Sequence, residues 1–202
     1  HRDLHSFPTR RSSDLSAVEI SSCGGVVTVS SCDIAAGENP QDTGDTYGIY
    51  IMASEAVISG NRRIWGGAAS GDGYSRGIYA ASGSTVTISG NNAGTDCIAC
   101  EGSGKNQCGV NISGGSDHLI ENSSIRSSEA GEAAINPIGV LLENASVNVQ
   151  NCRIESVIST GTWNEGHALS VSGAATDVVT VYNCHILSNA ISGTSSGIVR
   201  VF

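Results

Sequence analysis

Nine carboxylates are the residues of this sequence best placed to do chemistry: Glu38, Asp42, Asp45, Asp72, Asp96, Glu101, Glu129, Glu132 and Glu165. They fall in five of six recurrent segments, 35–47, 66–76, 93–108, 127–138 and 156–166, the sixth being 188–196. A stack of carboxylates offers hard oxygen ligands to Ca²⁺, and a facing pair can serve as acid and base at a glycosidic bond. Their spacing within each segment is irregular, however, and no dense Asp cluster occurs. A solvated acidic flank that keeps a sheet protein soluble accounts for them better. No residue is therefore assigned as catalytic or as a metal ligand, and no cofactor is implied. Ca²⁺ is the one cation this set would suit.

Other reactive side chains read in the same way. His118, His167 and His185 occupy different places in the pattern set out below, which suits packed or exposed strand residues rather than a catalytic set. The run CIACEGSGKNQC (97–108) has a CxxC and a third Cys, but zinc would need a fourth ligand and none is near. A loop disulfide, Cys97 or Cys100 with Cys108, is expected instead. Cys152 and Cys184 lie one period apart, which permits a bridge or a buried thiol column. Seven cysteines in all suit an oxidising compartment without proving any pairing. Trp65 and Trp163 could stack on sugar rings or simply pack loops. Asn111, Asn122 and Asn144 open Asn-x-Ser triplets that match glycosylation acceptors, although an Asn/Ser-rich repeat generates such triplets freely.

The elements that must position these residues recur with a fixed period. YGIYIMASEAVISGNRRI, RGIYAASGSTVTISGNN, CGVNISGGSDHLIENSSI, IGVLLENASVNVQNCRI and HALSVSGAATDVVTVYNCHI are near-copies, with the partial copies GGVVTVSSCDI before them and SGIVRVF after. Aligned on one apolar residue they give Val29, Ile58, Ile88, Ile120, Val149 and Val181, in steps of 29–32 residues. Within each copy the alternation has period two, the strand period. Only SSEAGEAAI (127–135) resembles a helical turn. Short strands repeated in this way cannot bury their own apolar rows, and stacking the copies solves the problem. Three parallel sheets are expected. The first takes 48–51, 77–80, 109–112, 139–142, 168–171 and 197–201. The second takes 27–29, 56–58, 86–88, 118–120, 147–149 and 179–181. The third takes 33–34, 63–65, 124–126, 153–155 and 185–187, with the third copy irregular around Asp96–Ala99. Arg63, Arg126 and Arg153 are placed at equivalent third-strand positions, and Pro40 and Pro137 in loops. The column Ser31, Gly60, Gly90, Asn122, Asn151 and Asn183 is assigned to a left-handed bend, where stacked Asn can also hydrogen-bond between copies. The next column, Cys32, Asn61, Asn91, Ser123, Cys152 and Cys184, is also read as structural.

The phrases GIY, VTISGN and NVQNCRI resemble the repeats of right-handed parallel β-helix proteins, the superfamily of pectate lyases and many bacterial surface proteins. The resemblance covers 16–202 and implies an all-β solenoid of about six coils, single-stranded and right-handed. It says little about activity, since lyases, hydrolases, tailspikes and adhesins share this architecture. The pectin hydrolases of this group carry Asn-x-Asp, Asp-Asp, His-Gly and Arg-x-Lys sets. None is present, and Gly166-His167 has the reverse order.

The first fifteen residues, HRDLHSFPTRRSSDL, break the pattern. In one reading frame they resemble a translated sequencing-adapter arm, so residues 1–15 are expected to be non-native and disordered and the fold to occupy 16–202 as a fragment cut through repeats at both ends. That segment holds three of the ten Lys+Arg and two of the nineteen Asp+Glu, leaving seven against seventeen and a net charge of −10. Such a balance opposes nucleic acid and anionic membranes, and no apolar run is long enough for a membrane span. The expected role is a non-catalytic stalk or adhesin-like binding surface, secreted or on the cell surface, for a polysaccharide or other surface ligand, with the signal peptide outside this chain. The alternative is a fragment of a pectin-type polysaccharide lyase or glycoside hydrolase. Uncapped sheet edges are expected to drive end-to-end self-association.

Overall fold

Runs such as Val27-Thr-Val29 and Thr85-Val-Thr-Ile88 favour strands because β-branched side chains pack well on a pleated surface, and the Gly, Asn and Ser between them break each strand after a few residues. The computed structural model describes residues 14–39, 44–69, 73–94, 97–100, 106–128, 136–156, 166–188 and 197–201. Within them the chain is all β and coils into a parallel solenoid. No helix among the described residues is long and apolar enough to cross a membrane.

Seventeen strands are numbered here in chain order. The first sheet contains β1 (Leu15–Ser21), β4 (Thr46–Met52), β7 (Tyr74–Ala80), the leading parts of β10 (Asn106–Glu121) and β12 (Asn136–Gln150), β14 (His167–Ser172) and β17 (Gly197–Val201). The second contains β2 (Val27–Ser30), β5 (Glu55–Ser59), β8 (Thr85–Ser89), the trailing parts of β10 and β12, and β15 (Val179–Tyr182). β10 and β12 turn the corner between these two sheets without interruption, through a register shift between Gly115 and His118. The third sheet runs β3 (Asp33–Ala35), β6 (Arg63–Gly66), β9 (Ile98–Cys100), β11 (Ser124–Arg126), β13 (Arg153–Ser156) and β16 (His185–Ser188). Every strand pairing among the described residues is parallel, as stacked copies require.

The aligned file is continuous. Val29 pairs with Ile58, Ile58 with Ile88, Ile88 with Ile120, Ile120 with Val149 and Val149 with Val181. A second file crosses the third sheet through Ile34, Ile64, Ile98, Ile125, Ile154 and Ile186. Together with Ile49, Ile78, Val110 and Val140 from the first sheet, these files form one core running the length of the coil.

Each bend between the second and third sheets has the left-handed backbone expected of it: Ser31, Gly60, Gly90, Asn122, Asn151 and Asn183 have φ between 48° and 64°. The Asn183 amide donates to Asn151 Oδ1 at 2.6 Å. The more extensive ladder lies one residue further on. The backbone N–H of Cys32 donates to Asn61 Oδ1 (3.0 Å), that of Asn61 to Asn91 Oδ1 (2.9 Å) and that of Asn91 to Ser123 Oγ (3.3 Å). The Asn91 amide donates back to the Ile58 carbonyl at 2.9 Å. Corner amides that no strand can pair are thus satisfied by side chains of the next coil, as buried backbone donors require.

Four expectations are corrected. The coil begins before Ser16: Leu15 opens β1, its N–H donates to the Asp45 carbonyl, and Asp14 Oδ1 accepts the Asp45 N–H at 3.1 Å; residues 1–13 lie outside the described residues. The first sheet therefore has an additional strand at 15–21. The third copy does supply a third-sheet strand, β9, although residues 95 and 96 lie outside the description. Pro137 is a buried residue near the start of β12, paired with Gln107, a strand-entry position that tolerates a missing N–H. Pro40 and the expected helical turn beyond Ser128 fall outside the described residues.

Gly48, Gly77, Gly109 and Gly139 stand on successive coils where the first sheet passes close to the third. A Cβ at Gly109 would lie 2.5 Å from the Arg126 carbonyl oxygen and 2.8 Å from that of Gly139. Both obstacles are backbone. Gly109→Val should cost about 1–3 kcal/mol by overpacking, and Ile88→Ala about 2–5 kcal/mol by cavity formation. Exposed Thr28→Ala should stay within about 0.5 kcal/mol. Urea denaturation midpoints check the order, and a Gly109→Val protein as stable as the parent would refute the close-approach account.

One residue of the inner files is polar. His118 pairs with Val147 on one side, lies next to the Leu119–Thr87 pair on the other and is 1% exposed. Its Nδ1 accepts the Val86 N–H at 3.2 Å, which leaves the proton on Nε2 facing the Gly114 carbonyl at 3.1 Å. Burial holds its pKa below the ordinary 6.5. The unfolded chain thus takes up a proton that the fold refuses, so His118 supports stability fully above about pH 6.5 and progressively less as pH falls below that value. His118→Val should flatten the pH dependence of the denaturation midpoint in that window, and an unchanged profile would show that the imidazole is not neutral in the fold.

Candidate functional site

Outward positions of a coil are not needed for the core, so chemistry-bearing residues there must be explained separately. Four of the chain's five tyrosines, Tyr47, Tyr50, Tyr74 and Tyr79, gather on β4 and β7. Register brings them together: Tyr50 pairs with Tyr79, and Tyr47 with Arg76. The rings of Tyr47, Tyr50 and Tyr79 have centroids 5.2–5.6 Å apart, within the range of favourable aromatic contact. The Arg76 guanidinium lies 4.2 Å from the Tyr74 ring centre, 4.7 Å from that of Tyr79 and 5.5 Å from that of Tyr47, close enough for cation–π attraction.

Asp45 fixes this group. Its Oδ2 accepts from Arg76 Nη1 at 2.9 Å and from the Tyr47 hydroxyl at 2.7 Å, while Oδ1 accepts the Tyr74 N–H at 2.8 Å. Arg76 is buried. Burial pushes the Tyr47 hydroxyl far above its usual pKa and raises that of Tyr50 as well, so both phenols remain neutral donors. Tyr50 and Tyr79 are half-buried and Tyr74 is exposed. The outer row they share continues through Asn111, Leu141 and Ser170, and Asn111 donates to Glu143 Oε2 at 3.0 Å. The result is a locked aromatic platform, followed along the coil axis by buried Asn111, half-buried Leu141 and buried Ser170.

The outer side of the third sheet carries a second group. One row runs Asp33, Arg63, Cys97, Ser124, Arg153 and His185, and the next runs Ala35, Trp65, Ala99, Arg126, Glu155 and Leu187. Arg63 and Arg153 are thus equivalent, but Arg126 lies in the other row, two residues along its strand, which corrects the expectation of one shared column. Arg62 and Arg63 both pair with Asp33, the latter at 2.6 Å. Their hydrogen bonds hold the Asp33 carboxyl below its usual pKa. Arg126 and Arg153 both reach Glu155, at 3.2 and 3.1 Å. Each carboxylate is thus shared by two guanidinium groups among the described residues. Beside the first centre is a recess of about 260 Å³ lined by Asp33, Arg62, Arg63, Trp65 and Cys97. Arg63 covers the Trp65 ring at 4.9 Å, so that indole is engaged by a cation of its own sheet.

Of the nine carboxylates singled out, Glu38 is exposed and Asp45 is the anchor just described. Asp42, Asp72, Asp96, Glu101, Glu129, Glu132 and Glu165 lie outside the described residues, as does Trp163. Among the described residues, no group of three or more His, Cys, Asp or Glu is placed to hold a metal ion. The three histidines stand on three different sheets: His118 inside the second, His167 buried on the first and His185 exposed on the third. All seven thiols are free, which overturns the expected loop disulfide. Cys97 Sγ donates to the Asn61 carbonyl and Cys100 Sγ to that of Ser75, each at 3.0 Å, while Cys108 Sγ turns to the carbonyl of Val110 at 3.1 Å. Burial pushes the Cys100 thiol up to about 11 and that of Cys152 up to about 12, so neither is an activated nucleophile. Asn111 is buried and so unsuited to glycosylation, whereas Asn122 and Asn144 are exposed at left-handed turns.

The tyrosine platform was not foreseen from the sequence. Its signal was present in the recurrent GIY phrases, where the Tyr was read only as part of the repeat. Compared with protein-family models, with curated proteins and with solved structures, the chain matches none.

Proposed function

We propose that this chain is a non-catalytic binding segment, secreted or displayed at a cell surface, whose coil acts as a rigid stalk and whose first sheet holds carbohydrate. The observation that carries this reading is the platform of Tyr50, Tyr74 and Tyr79 around the clamped Arg76. Aromatic rings stacked and tilted against one another on the sheet suit apolar faces of sugar rings, and their conformations are fixed before any ligand arrives, so little ordering remains to oppose binding. Asn111 and Ser170 further along the row are buried, so the rings themselves are the surface open to a ligand.

Affinity electrophoresis against neutral and uronate-containing polysaccharides, with and without Ca²⁺, tests the reading. Retardation is expected without Ca²⁺. Tyr50→Ala combined with Tyr79→Ala should weaken binding by about tenfold or more, since stacking contributes about 0.5–1.5 kcal/mol per ring beyond area burial. Retardation by no polysaccharide would remove the proposal. Release of unsaturated or reducing-end products would replace it with the lyase or hydrolase alternative.

A further inference from the structure

Three residues of the corner column tie one coil to the next through good acceptors. Asn61, Asn91 and Ser123 each take the backbone N–H of the preceding coil. The column then changes chemistry, because its next two members are Cys152 and Cys184. Thiols are weak hydrogen-bond partners, so this column links those two coils only weakly.

The two cysteines are held opposite each other. Gln150 pairs with Tyr182 and Arg153 with His185, which brackets Cys152 and Cys184 in register on adjacent coils about 4.8 Å apart. That separation lies within the Cα range a disulfide spans. The side chains also lean together. Cys184 Sγ lies 3.7 Å from the Val149 carbonyl oxygen, which belongs to the coil of Cys152, and the two thiols are hydrogen-bond neighbours. Among the described residues no other two cysteines share a column on adjacent coils. Cys32 stands over Asn61, Cys23 over Ser54, and Cys108 between Arg76 and Ile138.

We propose that Cys152 and Cys184 form a disulfide that fastens one coil to the next when the chain meets an oxidant of the disulfide class, such as oxidised glutathione. Half-buried Cys184 is the point of entry, since Cys152 is buried and its surroundings keep the thiol protonated. The Cys184 thiolate attacks one sulfur of the oxidant and expels one glutathione thiolate. Cys152 then attacks the Cys184 sulfur and expels the second. The two thiol protons pass to the departing glutathione thiolates, and the two electrons that the cysteines lose reduce the S–S bond of the oxidant. Losing both S–H donors leaves neither of their nearest carbonyls unpaired. The Gln150 carbonyl, 3.1 Å from Cys152 Sγ, already accepts the Asn122 N–H, and the Tyr182 carbonyl, 3.3 Å from Cys184 Sγ, accepts that of Asn151. The bond closes a loop of one full coil and so restricts the unfolded chain.

The full chain, reduced and then held without denaturant in excess oxidised glutathione, is alkylated, digested and mapped by mass spectrometry. The expected product joins the peptides of Cys152 and Cys184, while exposed Cys32 gains only a single glutathione. Cys152→Ser should trap the mixed disulfide on Cys184, and Cys184→Ser should leave Cys152 unmodified. Both substitutions install the side chain that Ser123 already supplies in this column. The oxidised chain should unfold at a urea concentration about 1 M higher than the reduced one, and the Cys152→Ser chain should show no such rise. Glutathione retained on Cys184 of the parent chain with Cys152 free, a bond from Cys184 to any other cysteine, or no reaction at either thiol overturns the proposal. Complete cross-linking with an unchanged urea midpoint overturns the fastening role.

Discussion

One apolar side chain per coil, set directly over its equivalent in the next, is the interaction on which the molecule depends. No strand here has a buried face of its own, and a strand of three to seven residues in isolation would leave its Val and Ile rows in water. The burial gradient along the file makes the dependence visible. Ile58, Ile88, Ile120 and Val149 are completely buried, Val29 at one end is half-buried and Val181 at the other is 37% exposed. These residues have the same chemistry and the same position in the repeat. They differ only in the number of neighbouring coils, so cohesion in this fold is a nearest-neighbour quantity that weakens toward the ends.

Stacking also dictates the corners. A chain that bends between sheets exposes amides the strands cannot pair, and the adjacent coil is the only nearby source of partners. Asn61, Asn91 and Ser123 supply them, each accepting the backbone N–H of the preceding coil. The file of glycines from Gly48 to Gly139 answers a different demand, the passage of the first sheet against third-sheet carbonyls without room for a Cβ. Turn residues, corner amides and glycines are thus three answers to one spatial requirement, that each coil repeat the path of the last.

This shared requirement explains which features were legible in the sequence. The file from Val29 to Val181 and the left-handed column from Ser31 to Asn183 could be read because each coil imposes them anew, and the structure reproduces both residue for residue. Features that occur once had no such redundancy. β1 was missed because Leu15–Ser21 precedes the first aligned copy, although it pairs normally with β4. Arg126 was placed level with Arg63 and Arg153 because similar short phrases conceal a two-residue offset, which the pairing of Ser124 with Arg153 and of Ile98 with Ile125 fixes. The thiols of Cys97, Cys100 and Cys108 are close in sequence yet turn to three separate carbonyls, since strand β9 and the start of β10 carry them into different environments. The candidate site was the least legible part. Seven of its nine proposed carboxylates lie outside the described residues, and the tyrosines were absorbed into the repeat.

Because the inward positions are so strongly determined, departures from the repeat carry more information about function than the repeat itself. A solenoid needs nothing particular at Tyr50, Tyr79 or Arg76, where other coils have Asn111, Leu141 and Ser170 or Cys108, Ile138 and His167. Placing a buried guanidinium among three rings costs desolvation, offset here by Asp45 and the ring faces. Two coils carry this arrangement and the others fold without it, so its cost is not one the architecture demands. A rigid frame with a local, energetically expensive polar cluster on its outer face is the arrangement expected when the frame serves to position that cluster for a partner.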